Sequence, residues 1–310
     1  MNDASSASGG EKSRTLTVSG YRKSDVVREL IESMEHENVE SAQYWTAELV
    51  CSSLPDVLFG AFTAYYTDYV HTSNIKLMIV LDAFFNWSAE LSSPHFRKKC
   101  AEMVILLCCA KKGRVYKSVK IAPADLNFAT EGHRLKAPST CFAEQVFLHT
   151  DPRELFIPVN EWMYQMEHGD DVNAMYWVDW LLSAILNYYK YIWNTRELCA
   201  PRQWVPGSDS VQQEPIWILW DVLLHHAPVS VTTLKQRVLQ SAFHVFCEKY
   251  KWTVLKQRFK LIYFATSVCV DRTCNENVSI LPPPHFMEHL DSQVADTYQR
   301  ITQEDNVSCF

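Results

Sequence analysis

Four residues near the C-terminal end have the types and the order of a zinc site: Cys269, Cys274, His285 and His289. Thiolate sulfur and imidazole nitrogen are the usual tetrahedral donors for zinc. Here they stand as C-x4-C, ten intervening residues, and H-x3-H. A metal would require both pairs to converge on one point. The intervening stretch ends in Pro282-Pro283-Pro284 and lacks the apolar core of a zinc finger, and Cys269 falls on what reads as the last core helix. The preferred reading is a buried cysteine, a loop cysteine and two surface histidines, with no cofactor.

The same histidines spell His285-Phe286-Met287-Glu288-His289, a match to the inverted zincin pattern H-x-x-E-H. That chemistry places both histidines on zinc, uses the glutamate to activate water and draws a further carboxylate from far downstream. Glu304 is the one glutamate after His289, so a peptidase is not the expectation. There is no G-x-S-x-G, no Walker loop and no G-x-G-x-x-G. His225-His226 ends a helical pattern, where cations suit the helix dipole. Asp170-Asp171 reads as a helix start rather than a catalytic carboxylate pair. Asp179 sits inside the most apolar helix, where a hydrogen-bonded core role is expected.

Charge is more informative. Between Arg97 and Lys120 stand eight basic residues (Arg97, Lys98, Lys99, Lys111, Lys112, Arg114, Lys117 and Lys120) against one acid, Glu102. Between Lys235 and Lys260 stand seven, including Lys256 and Arg258, against Glu248. The chain as a whole carries −7, so these two stretches are islands in an acidic protein. Such islands suit a phosphate backbone or an acidic partner. The competing reading is ordinary solvated helix faces.

The elements that must position these residues are helical. Apolar residues recur at helical spacing through most of the chain. Ser24, Asn38, Pro55 and Ser93-Pro94 open the first helices, and Lys111-Lys112-Gly113 is expected to close the fifth. Residues 115–121 alternate, as a short strand or an extended linker would. Asp151-Pro152-Arg153-Glu154 reads as a capping box. Residues 171–193 are apolar nearly all round, as in a central helix. Further helices follow from Glu214-Pro215, Ser230 and Trp252, and an amphipathic one is expected near 286–302. Only eight glycines occur in 310 residues, too few for the turns of a doubly wound nucleotide fold. The longest apolar run, Met103 to Ala110, falls short of the roughly 20 residues of a membrane span. The first residues do not read as a signal peptide, and the ten cysteines are expected as thiols.

The expected fold is all-α: a two-lobed irregular bundle of about ten helices. Its divisions are a disordered arm at 1–20, a helical lobe at 21–114, a connection at 115–141, a second lobe at 142–281 and an acidic tail at 282–310.

Four strings carry a resemblance: Tyr44-Trp45-Thr46-Ala47-Glu48-Leu49-Val50-Cys51-Ser52, Asp151-Pro152-Arg153-Glu154-Leu155, Trp217-Ile218-Leu219-Trp220-Asp221 and Leu261-Ile262-Tyr263-Phe264-Ala265. Together they resemble an uncharacterised helical protein family of nucleocytoplasmic large DNA viruses. The resemblance implies a viral setting, with viral proteins as partners, and transfers no site. It implies residence inside the host cell, in cytoplasm, viral factory or virion. The function expected is a non-enzymatic helical scaffold or interaction protein. The alternative is a replication or transcription accessory that holds nucleic acid through Lys98, Lys99, Lys111, Lys112, Arg114, Lys117, Lys120, Lys256 and Arg258.

Overall fold

The computed structural model describes residues 16–86, 93–113, 115–122, 125–126, 131–191, 199–225, 233–271 and 278–307, with side chains undescribed at 188–191 and 304–307. Among the described residues lie twelve α-helices: α1 (Lys23–Glu35), α2 (Val39–Cys51), α3 (Pro55–Tyr65), α4 (Lys76–Phe85), α5 (Pro94–Cys108), α6 (Phe156–His168), α7 (Asp171–Tyr191), the single turn α8 (Asp209–Gln212), α9 (Ile216–His225), α10 (Leu234–Cys247), α11 (Leu255–Val270) and α12 (Leu290–Val307). No sheet is present among them; Leu16 and Arg22 form an isolated bridge. No described helix is long and apolar enough to cross a membrane. Residues 115–122, left open between strand and linker by their alternation, are irregular where described.

The helices group into two compact units whose boundaries differ from the sequence divisions. The first comprises described residues up to Phe62, those of 88–109 and those from Pro282 onward; the second comprises 63–87 and 110–281. In the first unit α1, α5 and α12 all pack on α2. Asn38 caps α2 by accepting from the Ser41 N–H at 3.1 Å. Ser93 caps α5 by accepting from Phe96 at 3.1 Å, with Pro94 in the first turn. α1 begins at Lys23, so Ser24 lies inside the helix rather than capping it.

Of the arm expected at 1–20, residues 1–15 lie outside the described residues. Residues 16–20 are held in place. The Ser19 N–H and hydroxyl donate to the buried Glu48 carboxylate at 3.0 and 2.8 Å, and the Val18 N–H donates to Ser52 Oγ at 3.0 Å. A carboxylate buried this deeply needs such donors. The segment expected as an acidic tail likewise contributes structure, because α12 buries Leu290, Tyr298 and Ile301.

In the second unit α11 packs on α6, α7, α9 and α10, and α4 packs on α10. Trp177, Leu181 and Ile185 of α7 are fully buried, as their all-round apolar pattern predicts. Gly169 ends α6 in the left-handed conformation (φ 72°), and Asp170 then caps α7 by accepting from the Asn173 N–H at 3.0 Å. Thr233 caps α10; Ser230, the expected cap, lies outside the described residues.

Two local readings are corrected. α5 stops at Cys108, and Gly113 is not its terminal glycine. Its N–H donates to the Tyr69 carbonyl at 2.7 Å, and a Cβ there would lie 2.3 Å from Ser73 Oγ and 2.8 Å from the Val70 carbonyl. Glycine is required for close approach. Nor does Asp151 cap a helix. Its carboxylate accepts from Arg202 Nη1 and Nη2 at 2.5 and 2.7 Å, from the Leu148 N–H at 2.9 Å and from the Ala200 N–H at 3.2 Å. Residues 153–155 make a 3-10 turn before α6. Arg202 completes its contacts with Asp221 Oδ2 at 2.7 Å and the Ala200 carbonyl at 2.8 Å.

Two substitutions separate these stabilising elements. Leu181→Ala is expected to cost about 2–5 kcal/mol through lost burial and a residual cavity, read from the urea midpoint at unchanged slope. Arg202→Ala is expected to cost about 3–5 kcal/mol by leaving Asp151 buried without its cation. An Arg202→Ala midpoint equal to wild type would show that Asp151 finds other partners.

Candidate functional site

The second unit contains a cleft of about 1100 Å³, lined among others by His71, Tyr116, Lys117, Val119, Arg134, Val172 and Tyr176. It is built where the backbone departs from regular helix. After α3 the chain widens into a π-turn at Tyr66–Val70, then tightens into a 3-10 turn at His71–Asn74. Thr67 Oγ1 donates to the carbonyls of Thr63 and Ala64 at 2.9 and 3.1 Å, and Tyr66 donates to the Asn74 carbonyl at 3.2 Å. At the junction His71 adopts φ 49°, a conformation that costs a non-glycine residue on the order of 1–3 kcal/mol and concentrates at functional sites.

His71 is 2% exposed, and neither ring nitrogen has a hydrogen-bond partner among the described residues. Its ring meets Phe264 edge-on, with centroids 5.6 Å apart. Burial lowers its pKa to about 4, so at neutral pH it presents one donor and one acceptor. A buried imidazole with both nitrogens vacant is uncommon and calls for an occupant.

Tyr116 of the lining is held by Asp179, which also binds Tyr263 of α11. Asp179 Oδ2 accepts from Tyr116 at 2.9 Å and from the Val119 N–H at 2.6 Å, and Oδ1 accepts from Tyr263 at 2.7 Å. Burial raises the Asp179 pKa, and the three donors oppose that shift. Both tyrosines are raised, by burial first and then by the carboxylate. Asp179 is thus the hydrogen-bonded core group expected from its helix. Across the cleft, Tyr176 donates to Glu131 at 2.8 Å, and the Arg134 guanidinium lies 3.9 Å above the Tyr176 ring. The rim is mixed: Val119 is 51% and Val172 70% exposed, beside exposed Lys117, His168 and Asp171.

Of the residues singled out in the sequence, Lys117 and Asp171 line the cleft and Asp179 supports it; the others lie elsewhere. Lys98 and Lys99 belong to the first unit and pair with Asp291 (2.8 Å) and Glu102 (2.5 Å). Lys111, Lys112, Lys117, Lys120, Lys256 and Arg258 belong to the second; Arg114 lies outside the described residues. Arg258 is turned inward. It donates to the Val245 and Glu248 carbonyls at the end of α10, and burial lowers its pKa. Cys269 is half-buried on α11. His285 and His289 belong to the first unit, and Cys274 lies outside the described residues. His285 sits in a 3-10 turn, His289 has φ 59°, and α12 begins only at Leu290. The H-x-x-E-H pattern therefore does not present its histidines on one helix face. No group of three or more potential metal ligands occurs among the described residues. His225 pairs with Gln145 at 2.8 Å.

Sequence reasoning passed over His71, Arg134 and Tyr176. No local pattern marks them, because the cleft brings together segments far apart in the chain.

No protein-family model matches the chain, and no curated protein or solved structure shows significant similarity to it. The viral resemblance gains no support from these comparisons.

The cleft makes a prediction about pH. Folded His71 titrates near 4 and the unfolded residue near 6.5, so between these values the unfolded chain binds the extra proton. Stability from the neutral ring is complete above pH 6.5 and is lost as pH falls toward 4, by up to about 3 kcal/mol. Asparagine is among the non-glycine residues enriched at positive φ and does not titrate. Urea unfolding of His71→Asn should therefore lose less stability than wild type between pH 7 and 4.5. Parallel pH profiles would show that His71 is not held neutral.

Proposed function

We propose that the chain is a non-enzymatic interaction protein, and that the cleft of the second unit receives a segment of a partner protein. The observation that carries this reading is His71, buried and unpaired in a strained backbone, at the wall of a large cleft with two exposed valines at its rim. Mature binding sites combine an apolar lining with a few fixed polar groups. His71 would supply such a group to a backbone amide or carbonyl of the incoming segment. Val119 and Val172 would cover its apolar side chains, and exposed Lys117 and Lys120 favour an acidic flank.

Binding is favoured over turnover because the titratable groups are engaged structurally. Asp179 accepts three hydrogen bonds, and Tyr176 donates to Glu131. A catalytic nucleophile needs a base within hydrogen-bond reach. The viral resemblance makes another viral protein the proposed partner, in a scaffold or virion assembly. The alternative, a nucleic-acid accessory, draws on Lys111, Lys117 and Lys120, which are exposed and without a carboxylate partner among the described residues. It loses support from Lys98, Lys99 and Arg258, whose protons are already accepted.

Val172→Glu tests the cleft. At a position this exposed the change should alter stability by no more than about 0.5 kcal/mol. A photoreactive residue at position 172, introduced into the protein in the cells that make it, should cross-link one partner protein. Val172→Glu should reduce co-purification of that partner at least tenfold. Undiminished co-purification would remove the cleft as the docking element. Binding to duplex DNA that weakens by a slope of roughly −0.9 per contacted phosphate would favour the alternative.

A further inference from the structure

A second unpaired polar group lies in the first unit, unrelated to the cleft. α2 contributes Gln43 and Thr46, α5 contributes Arg97 and Ala101, and α12 contributes Val294, Thr297 and Tyr298 to the wall of a small void of about 10 Å³. That is room for one water-sized sphere. Gln43 Nε2, Thr46 Oγ1, Arg97 Nε and the Tyr298 hydroxyl are all buried, and none has a hydrogen-bond partner among the described residues. Thr46 and Tyr298 are 2% and 4% exposed. Four unpaired polar atoms around one small void are far beyond what a packed core tolerates without an occupant.

Their proton count identifies the occupant. Gln43 Nε2 and Arg97 Nε can only donate. Thr46 and Tyr298 each carry one hydroxyl proton, and burial raises the Tyr298 pKa so that its proton stays in place. At least four protons therefore need an acceptor. A water molecule accepts two. It could donate to the two hydroxyl oxygens, but their own protons would then remain unplaced. A monatomic anion accepts all four. Charge agrees. The Arg97 guanidinium lies 4.5 Å from the centre of the Tyr298 ring and has no carboxylate partner among the described residues. Of the acids on α5 and α12, Glu102 and Asp291 are paired with Lys99 and Lys98, and Asp296 is exposed to solvent and does not line the void. A sulfate or phosphate is too large for the void.

We infer that the α2–α5–α12 void is a halide site, in which Gln43, Thr46, Arg97 and Tyr298 bind one chloride ion by four donated hydrogen bonds. The ion would link three helices that meet only in the folded state. Chloride then stabilises the protein by mass action, because the unfolded chain has no such site.

Crystals of the whole chain grown in sodium bromide should show one anomalous peak in the void, in contact with all four donors. In solution the unfolding temperature should rise with sodium chloride and saturate, but not with sodium gluconate at equal ionic strength. Tyr298→Phe keeps the ring and removes one donor, and should raise the half-saturating chloride concentration about tenfold. Lys98→Ala removes a cation outside the void and should leave that concentration unchanged. A void without bromide, or equal stabilisation by chloride and gluconate, would overturn the assignment and leave a water there.

Discussion

A guanidinium withdrawn from water is tolerable only when its protons are accepted and its charge is met, and Arg202 imposes that constraint on the second unit. Its acceptors come from three places in the chain: Asp151 before α6, the Ala200 carbonyl beside it, and Asp221 in α9. Asp151 in turn holds the backbone at Leu148 and Ala200. An apolar contact can slip by an ångström at small penalty. This network cannot, because each displaced atom leaves a buried charge short of a partner. It fixes how the segment before α6 meets α9, and α6 and α9 both pack on α11, which carries Ser267 and Val270 of the cleft lining.

Buried polarity is handled in two different ways within this chain. Around Arg202 and Asp179, donors and acceptors balance within the chain. Around His71, and again around Gln43, Thr46, Arg97 and Tyr298, they do not. Imbalance of this kind is disfavoured in a core that serves only stability. Imbalance at one cleft and at one small void is the common physical ground of the proposed partner site and the inferred ion site.

Much of the helical framework was legible because its signals are local. Asn38 and Ser93 cap the helices that follow them, and a residue's capping role depends on neighbours three positions away. The burial of Trp177, Leu181 and Ile185 follows from a pattern contained in one helix. The misreadings share the opposite cause. Asp151 has the surroundings of a cap, yet its partner Arg202 stands 51 residues away. Gly113 has the position of a helix terminus, yet the close neighbours that require it are Ser73 and Val70. His71 has no helical or motif context at all. Its significance arises from a π-turn and a cleft that depend on α7 and α11. The basic clusters were legible as composition, but pairing of Lys98 and inward turning of Arg258 depend on residues outside each cluster.

The first unit is assembled from both extremities of the sequence and a short middle portion, since α12 packs on α2 and α5. During synthesis α1, α2 and α5 emerge long before the helix that covers them. At about 5–20 residues per second, the wait for α12 is of the order of ten seconds or more. Through that interval the α2 surface destined for Leu290, Tyr298 and Ile301 stays open, and the second unit is translated in full. The earliest helices of this unit therefore depend for their cover on one made only after the second unit.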